Sequence, residues 1–92
     1  MRLVLYSKPG CHLCEGLQEK LDQIQTLEFD LEVRNIEQRP DWFSRYQYEI
    51  PVLCWVNPAN GAETPLPRLS PRGSANQLAQ MLQTYAGSGK AE

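Results

Sequence analysis

Ninety-two residues are enough for one domain of modest core and too few for two. With 41% hydrophobic and 22% charged residues, the composition is that of a soluble globular protein and excludes a disordered or fibrous one. A formal net charge of -2, with nine Lys and Arg scattered along the chain, leaves no basic footprint for nucleic acid.

No apolar run approaches the roughly 20 residues of a membrane helix, and "LVLY" is far shorter than a secretory core. No membrane contact and a cytoplasmic location are therefore expected. Three cysteines form an odd set, spaced unlike a secreted disulfide framework, and a lasting structural disulfide would be unusual in a reducing compartment.

In chain order, "RLVLYS" is an apolar run ended by "KPG" and predicts a strand over 2–7. From Cys11, Leu13, Leu17, Leu21 and Ile24 recur at helical steps and predict a helix over 11–25. "LEFDLEVRNI" alternates, with Leu27, Phe29, Leu31 and Val33 on one face, as a strand does. Pro40 suits the first position of a short helix over 40–48, with Trp42, Phe43 and Tyr46 on one side. "IPVLCWV" reads as a strand covered on both faces, "NPANG" as a turn, and "AETPLPRL", with its two prolines, as an edge strand. Ser74 with Gln77 three residues on is a capping box ahead of Leu78, Met81, Leu82 and Tyr85, and "GSGKAE" is a frayed tail. The order β-α-β-α-β-β-α implies parallel pairing by a crossover and a late hairpin, a thioredoxin-like α/β plan over residues 1–86 with a flexible tail over 87–92.

Cys11 and Cys14 fall where the first strand gives way to the first helix. Cysteines at this spacing serve as a redox couple, half of a metal site, or a small staple. At a helix N-terminus the unpaired N–H groups and the dipole favour an anion on sulfur, and in Cys-x-x-Cys motifs the thiol pKa falls to about 3.5–7.5. Cys11 is thus the candidate nucleophile. Residues i and i+3 of a helix stand about 5 Å apart, within disulfide range, so Cys14 is the candidate resolving thiol. The chemistry is thiol–disulfide exchange on disulfide-containing proteins. His12, when protonated, would stabilise the thiolate, or else simply faces solvent. Lys8 would add positive charge near the sulfur or meet a substrate carboxylate, or else is a plain turn lysine. Glu15 has the wrong sign for a thiolate and fits the helix dipole.

"LVLYSKPGCHLC", "YEIPV" and the element order together resemble the glutaredoxin-like members of the thioredoxin superfamily over residues 2–86. That resemblance implies a cis Ile50–Pro51 bond facing the site, with Ile50 backbone groups offered to substrate. It also implies a role in cell redox homeostasis, reducing protein or glutathione mixed disulfides, with glutathione or a thioredoxin-reductase-type donor as reductant and no bound cofactor. The chain departs from the family in two places. His12 and Leu13 replace the usual Pro-Tyr or Pro-Phe, and "RLSPRGSAN" lacks the Gly-Gly and acid that hold glutathione. Arg72 and Ser74, at a helix N-terminus, are the candidate carboxylate receivers instead.

Two rival readings stand beside exchange. A metal site would need His12 or Cys54 to complete it, yet a second Cys-x-x-Cys or a His pair is missing, so no metal is expected; a cluster shared between two chains and glutathione enters by resemblance alone. A non-catalytic binding module would use Trp42, Tyr46, Tyr48 and Trp55 as a contact surface, but a scaffold needs no dithiol. Cys54, inside an apolar strand, reads as a buried free thiol. The expected state is a monomer.

Overall fold

In a computed structural model the chain forms β1 (Arg2–Ser7), α1 (His12–Asp22), β2 (Asp30–Asn35), a 3-10 turn (Ile36–Gln38), α2 (Pro40–Tyr46), β3 (Val52–Val56), β4 (Glu63–Pro65) and α3 (Ala75–Ala91). The structure describes residues 1–68, 70 and 72–91, from 86 onward by backbone alone; Leu69 and Pro71 of "RLSPRGSAN" and Glu92 of the tail lie outside them. The four strands make one mixed sheet in the order β2-β1-β3-β4. β1 runs parallel to β2 and antiparallel to β3, and β3 pairs antiparallel with β4 across the Asn57–Gly61 turn. Gly61, at φ +74, lets that turn close: its N–H donates to the Asn57 carbonyl at 2.7 Å.

The two-residue period of β1 sorts the helices. Leu3 and Leu5 point to one face and join Leu21 of α1, Leu53 of β3, and Leu78 and Leu82 of α3. Val4 and Tyr6 point to the other and pack with Ile36, Tyr46 of α2 and Cys54. All four β1 residues are buried because an inner strand with helical layers on both faces has no solvent side.

Where the elements differ from the sequence reading, local packing explains it. α1 ends at Asp22 rather than 25, its last turn tightened by the Gln23 N–H, which is shared between the Glu19 and Lys20 carbonyls. Leu13, first of the predicted stripe, is 54% exposed, whereas Cys14 and Leu21 carry the buried face. α2 stops at Tyr46 instead of 48; Trp42 and Tyr46, four apart, turn inward, and Phe43 turns out at 38% exposure. The turn before it escaped the periodicity: Asn35 caps it, its Oδ1 accepting the Glu37 N–H at 2.9 Å, and Ile36 is fully buried. β2 is confined to 30–35 on the sheet edge, where Val33 is exposed. β4 shrinks to three residues, Pro65 being tolerated because β4 is the opposite edge. The α3 backbone continues through 87–91, where the composition reads as a tail.

On the α2 face a polar network links the two sheet edges. Tyr6 donates its hydroxyl to Glu63 Oε1 at 2.5 Å, and Arg34 Nη1 donates to Tyr6 Oη at 2.7 Å and to Glu63 Oε2 at 2.8 Å. Arg34 Nε reaches Glu32 at 2.5 Å, and the guanidinium lies 5.3 Å from the Trp42 ring centre. Burial, then the bond to Glu63, raises the Tyr6 pKa above the ordinary phenol range, so Tyr6 remains a donor. The bond from Arg34, then that from Arg2, lowers the Glu32 carboxyl pKa.

Candidate active site

The cysteine pair rests on a turn that the sequence dictates. The Cys11 N–H donates to the Lys8 carbonyl at 3.3 Å, with Pro9 at the first corner and Gly10, at φ +81, at the second, the signature of a type II turn. A Cβ at Gly10 would meet nothing within 4 Å, so it is the backbone angle and not space that calls for glycine. Lys8 is exposed, and its carbonyl is the atom the turn uses.

Cys11, with extended backbone, is the N-cap of α1, and its Sγ accepts the Cys14 N–H at 3.3 Å. The sulfur therefore occupies the positive end of the helix and already takes one of its unpaired donors, the placement that stabilises a thiolate. Cys11 and Cys14 are joined as a disulfide with Cα atoms 5.3 Å apart, matching the expected helical spacing. Cys14 is buried and Cys11 is half-buried, so attack from outside meets Cys11 first.

The bond between Ile50 and Pro51 is cis, as the resemblance implied. The Ile50 N–H is committed within the chain, donating to the Tyr46 carbonyl at 3.1 Å, while Glu49 N–H donates to the same oxygen at 2.9 Å. A groove of about 530 Å³ opens against His12 and Leu13, the residues between the cysteines, and is floored by Leu53 and Leu78, with Pro51, Leu66 and Met81 among its walls. His12 stands at its mouth with Nδ1 3.6 Å from Glu15 Oε2, its side chain 94% exposed. The nearby charge it answers to is Glu15, and a pair so exposed contributes little.

Arg72 and Ser74 do not line this groove. The Ser74 hydroxyl accepts the Gln77 N–H at 3.1 Å, and Gln77 Oε1 accepts the Ser74 N–H at 2.8 Å, the capping box read from the sequence. Arg72 is exposed, its N–H bonded to Ser70 Oγ at 3.2 Å. The groove instead holds Leu17, which the helical stripe assigned to the core, Tyr48, which only the binding-module reading used, and Lys20 and Arg68, which were given no site role, Arg68 donating to the Glu49 carbonyl.

Cys54 lies fully buried on the opposite sheet face, and burial, then the Glu63 charge, pushes its thiol pKa from 9.0 up to about 11. Among the described residues no group of three or more His, Cys, Asp or Glu could hold a metal ion, and no described helix is long and apolar enough to cross a membrane. The reduced protein should release two equivalents of thiol from a disulfide reagent in the native state, the first by attack of Cys11 and the second as Cys14 closes onto Cys11, while Cys54 reacts only on unfolding. Because its folded pKa exceeds its unfolded one, the native state retains the Cys54 proton longer, so stability falls as pH rises from about 9 to about 11. Urea midpoints across that range, compared with Cys54→Ala, measure the effect; parallel curves would refute it.

A family model described as "Glutaredoxin-like domain (DUF836)" matches residues 2–83. No curated protein matches. A structural genomics target protein from X. campestris, XcR50, is similar at 29% identity and a TM-score of 0.60, over 89% of this chain and 96% of that one. Thioredoxin 1 from Thermosipho africanus TCF52B superposes with a TM-score of 0.64 at 15% identity, over 98% and 99% of the two chains, a likeness of fold.

Proposed function

The chain belongs to the glutaredoxin-like domain family, and on that premise we propose that it is a cytoplasmic thiol–disulfide oxidoreductase that reduces protein disulfides through Cys11. The observation that carries this reading is the Cys11 sulfur at the N-cap of α1, bonded to the Cys14 N–H, with the Cys14 sulfur in bonding reach and the cis Pro51 among the walls of the groove beside them.

In the reduced protein Cys11 attacks one sulfur of a substrate disulfide. The Cys11–substrate bond forms as the substrate S–S bond breaks, and the departing sulfur leaves as a thiolate that takes a proton from water. The Cys14 thiolate then attacks the Cys11 sulfur, closing the internal disulfide and releasing the second substrate thiol. Two electrons pass from the dithiol to the substrate. The chain is restored by two equivalents of glutathione or by a reductase dithiol, and it works as a monomer without a bound cofactor.

The test is NADPH-coupled reduction of hydroxyethyl disulfide, with glutathione plus glutathione reductase in one arm and thioredoxin reductase in the other. Turnover in either arm names the donor. No turnover in both, with a dithiothreitol-reduced sample also inert in a single turnover, sinks the reading.

A further inference from the structure

The groove beside the disulfide is apolar in its depth and cationic at its rim. Leu53 and Leu78 close the floor, and Leu17 and Met81 stand on facing helices. Among the described residues Lys20 and Arg68 bring two cationic side chains to this lining and Glu49 one anionic one, in a chain whose net charge is -2. His12, also in the lining, faces Glu15.

Arg68 is exposed and donates to the backbone carbonyl of Glu49, two residues before Pro51. A guanidinium has five N–H donors in a planar fork, and a carbonyl is a neutral acceptor. Donors therefore remain for a carboxylate, which binds a guanidinium in two parallel bonds and more strongly than a carbonyl does. The bond to Glu49 also keeps the guanidinium beside the segment that leads to Pro51. Tyr48 at 91% and Leu13 at 54% exposure carry apolar surface outward from the groove, wider than a small thiol compound would cover.

We propose that this groove is filled by the polypeptide flanking a substrate's disulfide, with an apolar residue over Leu17 and Met81 and an acidic residue paired to Arg68. The inference rests on the exchange reading above and adds its substrate class: protein disulfides whose cysteine is neighboured by an apolar residue and then by Asp or Glu. Arg68 is a specificity-determining residue that takes no part in the sulfur chemistry.

Two blocked peptides, identical but for Glu or Gln two residues from a cysteine held in a mixed disulfide with 2-mercaptoethanol, test it. Single-turnover reduction by the dithiothreitol-reduced protein is followed for wild type, Arg68→Gln and Arg68→Glu. Wild type should favour the Glu peptide about tenfold, the size of one charge-assisted bond. Arg68→Gln should bring the ratio to about one, and Arg68→Glu should invert it. If Arg68 only braced the Glu49 segment, both rates would fall together and the ratio would persist, which overturns the proposal. Equal rates in wild type overturn it too, while leaving exchange intact, as does faster reduction of a glutathione mixed disulfide than of either peptide. Failure of both peptides while hydroxyethyl disulfide is reduced overturns the substrate class alone; failure of all three removes the exchange reading and this inference with it.

Discussion

Cys11→Ser is expected to abolish disulfide exchange, with a loss on the order of 10³-fold or more, because removing a covalent nucleophile removes the whole pathway and not one contact. A serine hydroxyl is not ionised near neutral pH, and Cys14, buried in the first turn of α1, is closed to a disulfide arriving from outside. Cys14→Ser should behave differently. The first attack still proceeds, but the internal resolving step is gone, so the Cys11–substrate mixed disulfide accumulates. It appears as a mass increment in intact-protein mass spectrometry and is discharged by added glutathione. Equal loss in both variants, with no trapped adduct, would mean that Cys11 is not the attacking sulfur.

The largest stability effect is expected at Leu5→Ala. Leu5 is fully buried in an inner strand, opposite Val33 of β2 and Leu53 of β3, and packs in the core shared with α1 and α3. Cutting a buried Leu to Ala in a close-packed core costs about 2–5 kcal/mol, a large share of the roughly 5–15 kcal/mol that holds a domain folded. At about 4–8 °C per kcal/mol for a domain of this size, the melting temperature should fall by roughly 10 °C or more. Val33→Ala, one strand over but exposed, should stay within about 0.5 kcal/mol. Urea denaturation of the two variants measures the contrast; similar costs at both sites would show that the sheet is not packed as described.

Much of this architecture is legible in the sequence because it is local. The Pro9-Gly10 turn, the strand over "RLVLYS", the Ser74–Gln77 capping box and the i, i+3 spacing of the cysteines each follow from neighbouring residues, and each appears in the structure. The cis bond at Pro51 is of another kind, since it came from the family resemblance; an X–Pro bond alone has only about a 5–6% chance of being cis. The groove was not legible. Arg68 and Glu49 are nineteen residues apart and meet only because β4 folds back beside β3. Periodicity assigned Leu13 to the core and Phe43 to the inner face of α2, yet a period says only that residues share a side, and tertiary packing decides how far along the helix that side is covered.

The carbonyl of Tyr46 receives both the Glu49 and the Ile50 N–H, and the Tyr46 ring is stacked 4.3 Å from Tyr6 in the network that spans the sheet. The loop carrying Pro51 is thus anchored at its rear to α2 and, through Tyr6, to the inner strand. A partner settling at Pro51 meets a surface whose shape is already fixed, so little backbone freedom is lost on the protein's side of the encounter. Loosening the Tyr6–Tyr46 stack, on the face of the sheet away from the groove, would show up as weaker association with no contact residue altered.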